Sequence, residues 1–126
     1  MITTPHQKYQ QSSVQTASPG KLIIMLYDGA IRFVKQGIDA IEHKNIASAN
    51  ENLIKAQNIV HELVASLDFK YEISNGLALL YEYMLHRLIE SNVRKDIVPA
   101  SEVLSYLTDL KAAWLQASNP ALQSKE

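Results

Sequence analysis

Apolar residues recur along this chain at three- and four-residue spacing in four blocks, and no segment of strand length alternates with period two. The first block follows Ser18 and Pro19. A serine cap and a proline in the first helical position, where a missing N–H costs nothing, predict a helix from there to about His43. Asn45 restarts the chain, and a second helix is expected from Ile46 to about Leu67. A linker around Asp68–Glu72 leads to a third, roughly Ile73 to Asn92. Asp96 can cap a fourth, with Pro99 in its first turn, ending near Ala117 before Asn119–Pro120. The connections are short, so neighbouring helices should be antiparallel. The expected fold is all-α, an antiparallel up-down four-helix bundle over residues 18–118. Residues 1–17, rich in Gln, Ser and Thr, read as a mobile N-terminal arm or a short, weakly held helix, and residues 119–126 as a polar tail.

Placing each residue at 100° per position separates the core from the remainder. In the first helix Leu22, Ile23, Leu26, Tyr27, Ala30, Phe33, Val34, Ile38 and Ile41 share one arc, opposite Asp28, Arg32, Lys35 and Asp39. In the second, Ala49, Leu53, Ala56, Val60, Leu63 and Leu67 form the core line. The third contributes Ile73, Leu77, Leu80, Tyr81, Met84 and Leu88, and the fourth Val103, Leu107, Leu110, Trp114 and Ala117. The first helix is apolar at six consecutive positions, Leu22 to Tyr27, which reach every side of it. Apolar side chains are thus left outside the core arcs on every helix: Ile24 and Met25, Ile54 and Ile59, Leu79 and Tyr83, Leu104 and Leu115. Singly, each is ordinary flank packing. Together they suit the apolar face of a partner helix. Tyr9 and Val14 stand out as sparse anchors on the polar arm.

Composition narrows the chemistry. Hydrophobic residues at 47% and charged residues at 20% are ordinary for a single globular domain of 126 residues. The N-terminus lacks the apolar core of a secretory signal, and cysteine is absent, which excludes thiol chemistry and is compatible with the reducing cytoplasm. Net charge is −1, and the 12 Lys and Arg are scattered, which gives little support to nucleic-acid binding. His61-Glu62 begins like the zinc motif HExxH, but Ala65 stands where the second histidine would be. No Glu has a His three residues on, the pairing of di-iron bundles. Glu82 and His86, one turn apart, read as a surface pair. Four scattered glycines form no phosphate loop; Gly29 and Gly37, inside the first helix, point to close helix approach. No enzyme, cofactor or metal is expected.

The segments "TASPGKLIIMLYDGAIRF" (16–33), "NENLIKAQNIVHEL" (50–63), "LYEYMLHRLIESN" (80–92) and "AAWLQA" (112–117) together resemble the FliS family of flagellar export chaperones. Tyr9 sits where that family has a tyrosine in its arm. One departure is Gly76-Leu77, where the family often has Asn-Leu. The resemblance implies a cytoplasmic helical bundle that binds the C-terminal segment of flagellin and blocks premature polymerisation. It also implies delivery to the membrane-embedded gate of the type III export apparatus, with the arm lying over the cargo surface until cargo displaces it. On this reading Tyr9, Val14, Ile24, Met25, Ile54, Ile59, Leu79, Tyr83, Leu104 and Leu115 are the candidate partner-binding residues. The alternatives are a bundle adaptor that binds another amphipathic helix or a second copy of itself, and, third, a metal-dependent bundle enzyme.

Overall fold

The computed structural model describes residues 19–118, nearly all of them in four helices. Helix α1 spans Pro19–Glu42, α2 Ile46–Ala65, α3 Ile73–Arg94 and α4 Ile97–Ser118. Their ends lie within two residues of the expected ones. Ser18, the arm with Tyr9 and Val14, and the tail lie outside the described residues.

Local chemistry sets where each helix stops. At the end of α1 the Lys44 backbone turns left-handed (φ 57°), and Asn45 N donates back to the Ala40 carbonyl at 2.8 Å. Asn45 then caps α2, its Oδ1 accepting from Ser48 N at 3.1 Å. The same device recurs between α3 and α4. Lys95 is left-handed (φ 53°), Asp96 N donates to Ser91 O, and Asp96 Oδ1 accepts from Val98 N at 3.0 Å. Pro99 is the third residue of α4, where its N–H is not needed for the helix ladder. The α2–α3 connection is longer. Ser74 Oγ donates to the Asp68 carbonyl at 2.6 Å and ties the start of α3 to it.

Helix α1 packs on α2 and α4, and α3 packs on the same two. The helices therefore stand in ring order, with α1 and α3 across one diagonal. The core runs through the centre from Tyr27, Ala30 and Val34 to Leu53, Ala56, Val60 and Leu63, then Tyr81, Met84 and Leu88, and Ala100, Val103 and Leu107. The glycines of α1 explain how close α2 comes. A Cβ on Gly37 would lie 2.7 Å from Leu53 Cδ2, and one on Gly29 would lie 3.0 Å from Ile59 Cδ1.

Three assignments to the core change. Ile73, expected inside, is 69% exposed, because it is the first residue of α3 and no neighbouring helix layer covers that end. Ala117, also expected inside, is exposed in the last turn of α4. Leu104, expected off the core line, is half-buried and packs against the core.

Candidate partner-binding surface

The outer apolar residues divide by how far they leave the bundle. Leu79 is the most open of the described candidates at 70% exposure; Met25, Ile54, Tyr83 and Leu115 are exposed to a lesser degree. Ile24 is half-buried. Ile59 and Leu104 are half-buried and lean on the core, so much of their area is already covered from within. Ile24 and Met25 lie on α1 and Leu79 and Tyr83 on α3, two helices that share no seam. The candidates thus surround the bundle instead of lining one groove. A partner that touched them all would have to wrap.

Beside Leu79 the surface is fixed by polar bonds between α3 and α4. Tyr83 Oη donates to Glu102 Oε1 at 2.7 Å, and Arg87 Nε donates to the same oxygen at 2.8 Å. Arg87 also pairs with Glu90, and Arg94 reaches Glu90 at 3.5 Å. Hydrogen bonds from Tyr83 and Arg87 hold the Glu102 carboxyl below the usual carboxylate range. The same bonds to Glu102 push Tyr83 and Arg87 up. Tyr83 meets Tyr106 of α4 edge to face, with ring centres 6.3 Å apart. On the α1–α4 side, Lys111 Nζ bonds Asp28 Oδ1 at 2.6 Å.

The end of the bundle that carries the α2–α3 connection is different. A cavity of about 750 Å³ opens there, lined by Leu22, Ile23, Leu67, Leu77, Tyr81 and Trp114 among others. Behind its wall lies a buried bonded set. Trp114 Nε1 donates to Tyr27 Oη at 3.1 Å, and the Tyr27 and Tyr81 hydroxyls are 2.5 Å apart. Burial is the main cause that raises both tyrosine pKa values, so both keep their protons. Leu22 and Trp114 are half-buried and face this opening, Trp114 while also packing on the core.

Several exposed apolar side chains were not singled out from the sequence. Phe69 and Tyr71 stand out from the α2–α3 connection, and Ile73 follows at the cavity rim. Two large aromatics in a five-residue linker were the available signal. On α3, Ile89 and Val93 are also exposed, one turn apart and further along the helix than Leu79 and Tyr83. Ile46 and Val98 lie exposed at the starts of α2 and α4. Among the described residues no group of His, Asp and Glu is placed to hold a metal, and no helix is long and apolar enough to cross a membrane.

Comparison with known proteins follows the same lines. The family model described as "Flagellar protein FliS" matches residues 2–121. The flagellar secretion chaperone FliS of Bacillus subtilis (strain 168) is 44% identical over 116 residues, covering 92% of this chain and 87% of that one. Its counterpart in Salmonella typhimurium is 38% identical over 114 residues, covering 88% and 84%. That of Escherichia coli (strain K12) is 32% identical over 110 residues, covering 85% and 81%.

Proposed function

This chain belongs to the FliS family, a family of flagellar chaperones and not of enzymes, and on that premise we propose that it is a cytoplasmic chaperone for flagellin. Its cargo is the C-terminal segment of flagellin, which polymerises through amphipathic helices. The chaperone covers that segment, keeps it from premature assembly and presents it at the export gate.

The observation that carries the reading is the distribution of exposed apolar side chains. Leu79, Tyr83, Ile89 and Val93 are exposed on α3, Met25 and Leu115 are exposed on α1 and α4, and an apolar cavity opens at one end. A segment that orders only on binding has a folding cost of several kcal/mol, roughly 2–5, to offset. Contact spread around several helices supplies the area. The arm, residues 1–17, is read as lying over this surface through Tyr9 and Val14 until cargo displaces it.

Leu79→Asp tests the reading most cleanly, because Leu79 is exposed and makes none of the polar bonds between α3 and α4. The variant should melt within about 0.5 kcal/mol of the parent, as surface substitutions do. In calorimetric titration with a flagellin C-terminal peptide it should bind much more weakly. Equal affinity in the variant would remove α3 from the cargo surface. Deletion of residues 1–15 should leave the thermal transition nearly unchanged and cargo binding intact. Global unfolding of that truncated chain would show that the arm is core. Elution of the lone protein as a dimer that excludes the peptide would favour a self-associating adaptor instead.

A further inference from the structure

The cavity at the α2–α3 end has one property that a plain apolar docking groove lacks. Tyr27 and Tyr81 carry two hydroxyl protons between them and share one hydrogen bond. The Trp114 N–H already donates to Tyr27 Oη, so it accepts neither proton. One proton therefore needs a further acceptor, and none is found among the described residues. Tyr27 is wholly buried and forms no part of the cavity wall, whereas Tyr81, 2% exposed, does. The order that leaves no unmatched donor sealed in the core is Trp114 to Tyr27 to Tyr81, with the Tyr81 proton turned to the cavity.

The rest of the wall says what that proton meets. Ser66 Oγ donates to the Leu63 carbonyl, and Ser74 Oγ to the Asp68 carbonyl. These donors are already in use. The one charged side chain among the described lining residues is Asp68, an anion, so a second anion in the cavity is repelled. The remaining walls, Leu22, Ile23, Leu67, Leu77 and the Trp114 ring, demand apolar surface. An occupant that fits is apolar and brings one neutral acceptor. A polypeptide has both in an apolar side chain and the carbonyl beside it, provided that carbonyl is not already bonded within a helix. The last four carbonyls of a helix meet that condition.

We propose that Tyr81 is a specificity-determining residue of the cargo surface: its hydroxyl donates to a free backbone carbonyl of the flagellin segment, whose neighbouring apolar side chain fills the cavity between α1, α3 and α4. The inference rests on the flagellin reading above and adds a constraint to it. The bound segment has a helix end or a non-helical stretch at this cavity, not a continuous helix passing over it.

The test uses synthetic peptides of the flagellin C-terminal segment in which one backbone amide at a time is replaced by an ester, a weaker carbonyl acceptor. Each is titrated against the full chain and against Tyr81→Phe. The unmodified peptide should bind Tyr81→Phe about tenfold more weakly, the scale of one buried hydrogen bond. One ester position should weaken binding to the parent protein and cause no further loss in Tyr81→Phe. Tyr27→Phe leaves the Tyr81 proton free to donate outward, so that same ester should still weaken binding there. This second variant keeps the test decisive if Tyr81→Phe fails to fold. Undiminished affinity in Tyr81→Phe, or ester effects that simply add to it, would overturn the inference and leave a water or a packing contact at the hydroxyl, with flagellin binding intact. A peptide that does not bind the parent protein at all would overturn the functional reading and this inference together.

Discussion

Between α1 and α2, Gly37 leaves a gap that Leu53 fills, and Gly29 receives the tip of Ile59. Between α3 and α4, Arg87, Glu102 and Tyr83 occupy the space with long polar side chains, and Tyr83 rests edge-on against Tyr106. The first seam is held by close apolar packing, which depends on shape and is indifferent to ions. The second shares the buried core of Met84, Leu88, Val103 and Leu107 and adds half-exposed charges and hydrogen bonds at its rim, which weaken with salt and with acid. One half of the bundle is thus a fixed frame. The other carries a polar rim along its seam, beside the exposed Leu79 and Tyr83.

The comparison breaks first at Gly37. Gly37→Val should drive a branched side chain into Leu53, which is wholly buried and has little room to move. A urea melt should show a loss of about 1–3 kcal/mol, the range for overpacking a core. Parent-like stability would mean that α1 and α2 are not closely packed. Gly76 sharpens the contrast, since a Cβ there meets nothing within 4 Å. Gly76→Ala should therefore stabilise the protein by about 0.5–1 kcal/mol through helix propensity alone. The smallest effect belongs to the polar seam. Glu102 has a lowered pKa in the folded protein, so its contribution is present above its unfolded value of about 4.3 and is lost as pH falls through the lowered one. Thermal melts of Glu102→Gln should start slightly below the parent at neutral pH and converge on it in acid. The same seam predicts that the parent-to-variant gap narrows in molar salt. A gap independent of both would show that Glu102 acts through packing.

Much of this architecture was legible in the chain. Helical spacing placed four helices, and Lys44-Asn45 and Lys95-Asp96 lie at the turns that the cap residues marked. The core of Tyr27, Leu53, Met84 and Leu107 followed from phase alone. Phase fails at helix ends, where the neighbours that would cover a side chain have stopped. Ile73 and Ala117 are both of that kind. Phase also cannot set how widely a flank is covered, which is why Leu104 leans inward while Leu115 does not. The polar seam was out of reach for another reason. Tyr83 and Glu102 are 19 residues apart on different helices, and no local pattern couples them. Leu79 and Tyr83 were visible as surplus apolar positions, but the cavity was not, because it is built by Leu22, Leu67, Leu77 and Trp114 from every part of the chain.

The ring order of the helices also bears on how quickly the protein forms. Each helix packs against its neighbour in sequence, and three of the four seams join chain-adjacent helices. Such short-range topology folds on the microsecond-to-millisecond scale, about the fastest class of single domains. The fourth seam alone, α4 returning to α1, closes a long loop, and its bonds join Tyr27 to Trp114, 87 residues apart, and Asp28 to Lys111. During synthesis the α1–α2 hairpin is complete long before α4 leaves the ribosome. Ring closure at Trp114 is therefore the expected last step, and indole fluorescence in a stopped-flow refolding experiment reports on it directly.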